Sequence, residues 1–311
     1  MPHAPHASTD LSIEMFGRQL VSPLTVASGT FAAGREYAEF TDITRLGAVT
    51  TKGVSLTPWA GNTGKRIHET ASGLLNSIGL QNPGVETFCE KDLGWLADHA
   101  PDLPVIVNVS GHTIDDYVGV IERLEREPAV FAYELNISCP NVDAGGMVFG
   151  TDCTAAAGVV AAARAATKRP LIVKLSPNVT DVTAIARAVA DAGADAVSLI
   201  NTLLGTAIDP LTGRFVFDRR VAGLSGPAIK PVALRMVWQC AQVLDIPIIG
   251  MGGVTGGCDV VEFLRAGATM VALGTVNFGD PGAVGRILTE LDELCARIGV
   301  THVADLIGTA A

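Results

Sequence analysis

The segment Asn136-Ile137-Ser138-Cys139-Pro140-Asn141 places two amides, a hydroxyl and a thiol directly after the apolar run Phe131–Leu135. If that run is a strand, these groups converge just past its C-terminal end. In α/β proteins that end is where chemistry is done. A thiol there offers a nucleophile or a base, and the amides offer donors and acceptors to a polar ligand. Asn, Ser and Pro also build ordinary turns, so the segment alone leaves the matter open.

Other strand ends carry more. Two of the six lysines, Lys52 and Lys174, each close an apolar run. A lysine in that position is costly unless it faces an anion or snorkels to water. Ser28, Gly53, Asn108, Asn136, Asn178, Asn201 and Thr202 stand at comparable ends. Together they describe a polar pocket suited to an anion. Gly252-Gly253 and Gly274-Thr275 follow the last two apolar runs. Glycine lets backbone N–H groups approach a phosphate closely. The residues alone therefore reach an enzyme with a phosphate-bearing ligand, two lysines, several amides and a cysteine nucleophile or base. They do not name the reaction.

The elements that must position these groups alternate. The runs Leu24–Ser28, Val49–Lys52, Val105–Val109, Phe131–Ile137, Leu171–Leu175, Ala196–Ile200, Ile246–Gly250 and Met270–Leu273 are continuously apolar. That pattern marks parallel strands buried on both faces. Helical patterns separate them at Ile114–Arg126, Ala155–Thr167, Val182–Ala192, Val232–Leu244, Val260–Arg265 and Ala283–Arg297. Leu46-Gly47-Ala48, Ala192-Gly193-Ala194 and Ala266-Gly267-Ala268 repeat a helix stop before a strand. Eight such units predict a single-domain (β/α)₈ barrel over residues 11–311, after a loose tail over 1–10, with the active site at the C-terminal strand ends. An open doubly wound sheet is the rival architecture.

Composition excludes other classes. Of 311 residues, 48% are hydrophobic and 17% charged, enough apolar material for a large core. The net charge of −10 argues against nucleic acid and anionic membrane surfaces. No apolar run approaches the ~20 residues of a membrane span, and the first residues do not read as a secretory leader, so the cytoplasm is expected. Cys89, Cys139, Cys153, Cys240, Cys258 and Cys295 form no C-x-x-C pair and no His-bearing metal spacing, so no metal or cluster site is expected on this chain. Cys240 and Cys295 read as core filler. The six histidines and Trp59, Trp95 and Trp238 read as surface or packing, with Trp59 a candidate for the pocket mouth.

The chain resembles the catalytic chain of class 1 dihydroorotate dehydrogenases, from about Leu11 to Arg297. The resemblance is carried by Ala-Ser-Gly-Thr-Phe at 27–31, Thr-Lys-Gly at 51–53, Asn-Ser-Ile-Gly-Leu-Gln-Asn at 76–82, Asn-Ile-Ser-Cys-Pro-Asn at 136–141, Val-Lys-Leu-Ser-Pro-Asn at 173–178, Gly-Leu-Ser-Gly-Pro-Ala at 223–228 and the two glycine loops. It implies oxidation of dihydroorotate to orotate in pyrimidine biosynthesis, with a hydride leaving C6 for N5 of FMN and a proton leaving C5 for Cys139. It further implies that Lys52, Asn76, Asn136, Asn141, Asn201 and Thr202 hold the substrate beside the backbone of Ser77, Ile78, Gly79 and Leu80. FMN would be held by Ser28, Lys52, Gly53, Asn108, Asn136, Lys174, Ile200, Gly226, Gly252, Gly253, Gly274 and Thr275. A mobile loop over Cys139–Thr151, rich in glycine, is expected to close over the substrate.

The stretch Gly145-Gly146-Met147-Val148-Phe149-Gly150-Thr151-Asp152 resembles subclass 1B. That subclass implies electron transfer to NAD⁺ through a separate chain carrying FAD and a [2Fe–2S] cluster, in a heterotetramer built on a catalytic-chain dimer. Met147-Val148 departs from the common pattern. Two alternatives remain at this stage: a fumarate-linked class 1A enzyme without a partner, and a phosphate-binding barrel lyase or isomerase using Lys174 as a Schiff-base amine.

Overall fold

A computed structural model describes residues 9–138 and 149–311. Eight parallel strands run in chain order around a barrel: Leu24–Val26, Val49–Thr50, Val105–Val109, Val130–Leu135, Leu171–Lys174, Ala196–Leu199, Ile248–Met251 and Met270–Leu273. The first strand pairs with the eighth, Ala272 opposite Thr25, and each later neighbour follows in order round to the second. Between the first and second strands there is no ladder. That seam is closed by the Gly47 N–H donating to the Leu24 carbonyl at 2.9 Å and by Thr25 Oγ1 and Thr50 Oγ1 at 3.1 Å. The doubly wound alternative is thereby set aside.

The seventh strand begins two residues later than its apolar pattern suggests. Pro247 has no N–H to give a ladder, and only its carbonyl takes part, accepting from Val197 at 3.1 Å. Side chains of the barrel strands are buried almost throughout, as strands covered by helices on one face and packed interior on the other must be.

Three of the long helices start where a side chain accepts orphan backbone donors. Thr113 Oγ1 accepts from Asp116 N while Asp116 Oδ2 accepts from Thr113 N, a reciprocal cap for Ile114–Leu124. Asp152 and Asp181 cap Cys153–Ala166 and Val182–Asp191 in the same spirit. Cys240 and Cys295 are buried in Lys230–Ala241 and Ala283–Arg297, the helices expected to hold them.

Two additions flank the barrel. A hairpin, Ile13–Met15 with Arg18–Leu20, packs at the N-terminal strand ends, with Phe16 6.0 Å from the Phe131 ring and Arg18 donating to the Asp102 carbonyl. Thr9 and Asp10 are tied down, Thr9 N to Asp292 Oδ1 at 2.8 Å and Asp10 N to the Thr301 carbonyl at 2.9 Å. The rest of the expected tail lies outside the described residues. At the opposite end stands a four-stranded antiparallel sheet in the order Leu203–Gly205, Ala222–Ser225, Gly73–Asn76, Ile67–Thr70. Among the described residues no helix is long and apolar enough to cross a membrane.

Candidate active site

The C-terminal strand ends and the antiparallel sheet together enclose a cavity of about 320 Å³. One part of its wall is made of side chains. Lys174, which ends the fifth strand and is only 4% exposed, donates from Nζ to Ser28 Oγ at 3.1 Å. Asn108 is the penultimate residue of the third strand. Asn136 follows the fourth, its own carbonyl held by Tyr117 Oη at 2.9 Å. Ser138 joins two of the amides: its hydroxyl donates to Asn136 Oδ1 at 3.0 Å and accepts from Asn201 Nδ2 at 2.8 Å. Asn201 Oδ1 in turn accepts the Thr202 N–H. The orientation of both amides is thus set before any ligand arrives. The Leu199–Ile200 peptide is cis, and Ile200 lines the cavity.

Lys52 lies half-buried on the same wall. Burial, reinforced by the nearby Arg66 charge, holds its ammonium below the usual lysine value. A half-desolvated cation of this kind gains most from an anionic partner.

Facing the side chains is a stretch of almost bare backbone. Gly226, Gly252 and Gly253 have φ of 98°, 128° and 76°, a region costly to other residues. A Cβ on Gly253 would lie 2.8 Å from the Gly226 carbonyl oxygen and 3.0 Å from Lys230 N. One on Gly252 would lie 2.7 Å from Ala233 Cβ. Thr275 Oγ1 donates to Ser225 Oγ at 2.8 Å, linking the eighth strand's loop to the antiparallel sheet.

The structure brings together Ser28, Lys52, Gly53, Asn76, Ile78, Gly79, Leu80, Asn108, Asn136, Lys174, Ile200, Asn201, Thr202, Gly226, Gly252, Gly253, Gly274 and Thr275 around this one cavity. Ser77 is not among the lining residues. It is buried, and its carbonyl and hydroxyl both accept from Asn62 Nδ2 while its N–H donates to the Arg66 carbonyl. Cys139 and Asn141, and most of the loop expected to close over the substrate, lie outside the described residues.

The wall also includes residues not anticipated from the sequence, notably Gln81, Ser225, Met251 and Phe278. Beneath it sits Glu134, 1% exposed, accepting from Asn108 Nδ2 at 2.5 Å and Ser198 Oγ at 2.6 Å. A carboxylate inside the apolar run Phe131–Leu135 is itself a sequence signal, since such a charge is rarely buried without purpose-built partners. Trp59, a candidate for the mouth, instead packs against His112 with centroids 4.0 Å apart and planes tilted by 31°, and pairs through its backbone with Asn82.

The family profile described as dihydroorotate dehydrogenase matches residues 10–295. A protein of Geobacter sulfurreducens named dihydroorotate dehydrogenase B (NAD(+)), catalytic subunit, is 53% identical over 299 residues, covering 96% of this chain and 97% of the relative. Proteins of the same name are 51% identical over 302 residues in Geotalea daltonii and 50% identical over 297 residues in Lachnoclostridium phytofermentans, each covering at least 96% of both chains. These relatives favour neither the fumarate-linked alternative nor the lyase. With its barrel, its polar strand ends and this extent of identity, the chain belongs to the dihydroorotate dehydrogenase family.

Proposed function

We propose that the chain oxidises (S)-dihydroorotate to orotate with FMN as its resident cofactor, as the catalytic subunit of an NAD⁺-linked enzyme of cytoplasmic pyrimidine biosynthesis. The observation that carries this reading is the single cavity in which a buried and a half-buried lysine, oriented amides and a glycine-built backbone wall face one another.

The residues present suit FMN. Asn108 Oδ1 is fully buried without a partner among the described residues, on a wall where Gly53 leaves room that a Cβ would fill. Glycines 226, 252, 253 and 274 with Thr275 would hold a phosphate through backbone N–H groups and a hydroxyl. Lys174 would stand against the pyrimidine edge of the ring, where a cation favours negative charge. When bound, FMN supplies a hydride acceptor.

The chain's own residues would do the rest. Lys52 pairs with the substrate carboxylate. Asn76, Asn136, Asn141, Asn201 and Thr202, with the backbone of Ile78 to Leu80, meet the ring amides and carbonyls. Cys139 takes the C5 proton. A free thiol titrates near ~8.5, so exclusion of water over the site has to assist that transfer.

The relatives' names, with their NAD(+) and "catalytic subunit", support a partner chain. We place FAD and the [2Fe–2S] cluster on it, in a heterotetramer built on a dimer of this chain. Among the described residues there is no group of three or more His, Cys, Asp or Glu able to hold a metal.

An anaerobic visible spectrum tests the reading. The purified chain should be yellow and should bleach on addition of dihydroorotate, and NAD⁺ should restore the colour only when the partner chain is present. A protein that stays colourless and inert after FMN is supplied overturns the proposal. Recovery with fumarate alone overturns the NAD⁺ assignment.

A further inference from the structure

Glu134 and Asn108 lie opposite each other on adjacent strands, the fourth and third, and both are sealed from solvent. Each Glu134 oxygen is close to a donor: Oε2 to Asn108 Nδ2 at 2.5 Å and Oε1 to Ser198 Oγ at 2.6 Å. A carboxylate only accepts. Asn108 must therefore turn its NH₂ toward Glu134, and its carbonyl oxygen is left pointing elsewhere. That oxygen has no partner among the described residues, nor has Ser110 Oγ beside it. The two converge on one point, since a Cβ on Gly53 would lie 3.0 Å from Asn108 Oδ1 and 2.7 Å from Ser110 Oγ. Asn108 lines the cavity. A buried carbonyl without a partner is destabilising, and a ligand N–H at this point would satisfy it.

We propose that Glu134 is a positioning residue: it fixes the polarity of the Asn108 amide so that the cavity presents an acceptor to the N–H of a pyrimidinedione ring. The inference rests on the reading above, and both ring systems in that reaction, flavin and dihydroorotate, carry such an N–H. Without Glu134 the amide is free to turn over, and its NH₂ would then meet the ligand donor to donor.

The test measures two affinities, FMN for the apoprotein and orotate for the FMN-loaded protein. Glu134→Met should weaken one of them about tenfold or more, and the affected ligand identifies which ring Asn108 reads. Glu134→Ala serves if the methionine variant does not fold. Glu134→Gln should keep both affinities within about threefold, because its oxygen still accepts from Asn108 while its NH₂ donates to the Ser198 hydroxyl. In an Asn108→Ala background, Glu134→Met should add no more than about twofold, since its effect runs through the absent amide. Unchanged affinities in Glu134→Met, or an equal loss with and without Asn108, overturn the proposal. Failure of the wild-type chain to bind FMN at all would instead overturn the flavin reading.

Discussion

The two sides of the cavity solve recognition by different means. Between the third and sixth strands the wall consists of side chains whose orientations are fixed by one another: Glu134 holds Asn108, and Ser138 links Asn136 to Asn201. After the seventh and eighth strands it consists of backbone, kept bare by glycines at φ values that side chains resist. Oriented amides can distinguish the edges of a flat heterocycle. A bare backbone can approach an oxyanion from close range but reads little else. On the proposed reading, ring discrimination falls to one side and anchoring to the other.

The largest effect should come from the proposed base. Cys139→Ser should slow flavin reduction by dihydroorotate about 10²- to 10⁴-fold at neutral pH while FMN content and orotate affinity persist. Stopped-flow bleaching measures this, and a near wild-type rate would remove the cysteine from the reaction. Next, Lys52→Met should weaken orotate about 10- to 100-fold by removing a charge-assisted contact from the side-chain wall. An equal loss of FMN would blur the division of labour.

Gly253→Ala attacks the other side. The added methyl meets backbone at 2.8 Å and the φ of 76° is strained for alanine. FMN affinity should fall about tenfold, the scale of one strained residue, while orotate binding to the reloaded protein stays as it was. Loss of orotate binding instead would show that the bare wall does more than anchor. The smallest effect is in pH. Because burial lowers the Lys52 ammonium below 10.5, the charge that binds an anion is present below its own depressed value and lost above it. Orotate affinity, followed by titration calorimetry, should therefore begin to fall at a lower pH than an ordinary lysine would dictate. A profile that Lys52→Met leaves unaltered would assign the slope elsewhere.

How much of this was legible differs between the same regions. The barrel strands announce themselves because each is a continuous apolar run and each is buried on both faces. Lys174 and Asn108 were visible because a polar residue closing such a run is conspicuous. The antiparallel sheet was not visible. Its strands are three or four residues long, Ile67–Thr70 is largely exposed, and Asn76 pairs with Gly223 far along the chain. No local periodicity records such a pairing. Asn76 came from family resemblance alone. Glu134 is masked by the apolar run around it, and only its being a lone carboxylate there marks it. Ser77 shares a motif with pocket residues, yet Asn62 and Arg66 claim its polar groups.

The seam between the first two strands has a consequence for motion. A circular wall held by ladders everywhere else is fastened there by the Gly47–Leu24 and Lys52–Ala32 backbone bonds, the Ser22 hydroxyl on the Arg45 carbonyl and a pair of threonine hydroxyls. With no strand ladder to break at that line, local opening should start there, and hydrogen exchange should be fastest among the barrel strands at Leu24–Val26 and Val49–Thr50. Lys52 stands two residues beyond Thr50. Breathing of the protein's scaffold would thus be felt first at Lys52, the group proposed to meet the substrate's charge, and a ligand bound there would act as a rivet across the one joint without a ladder.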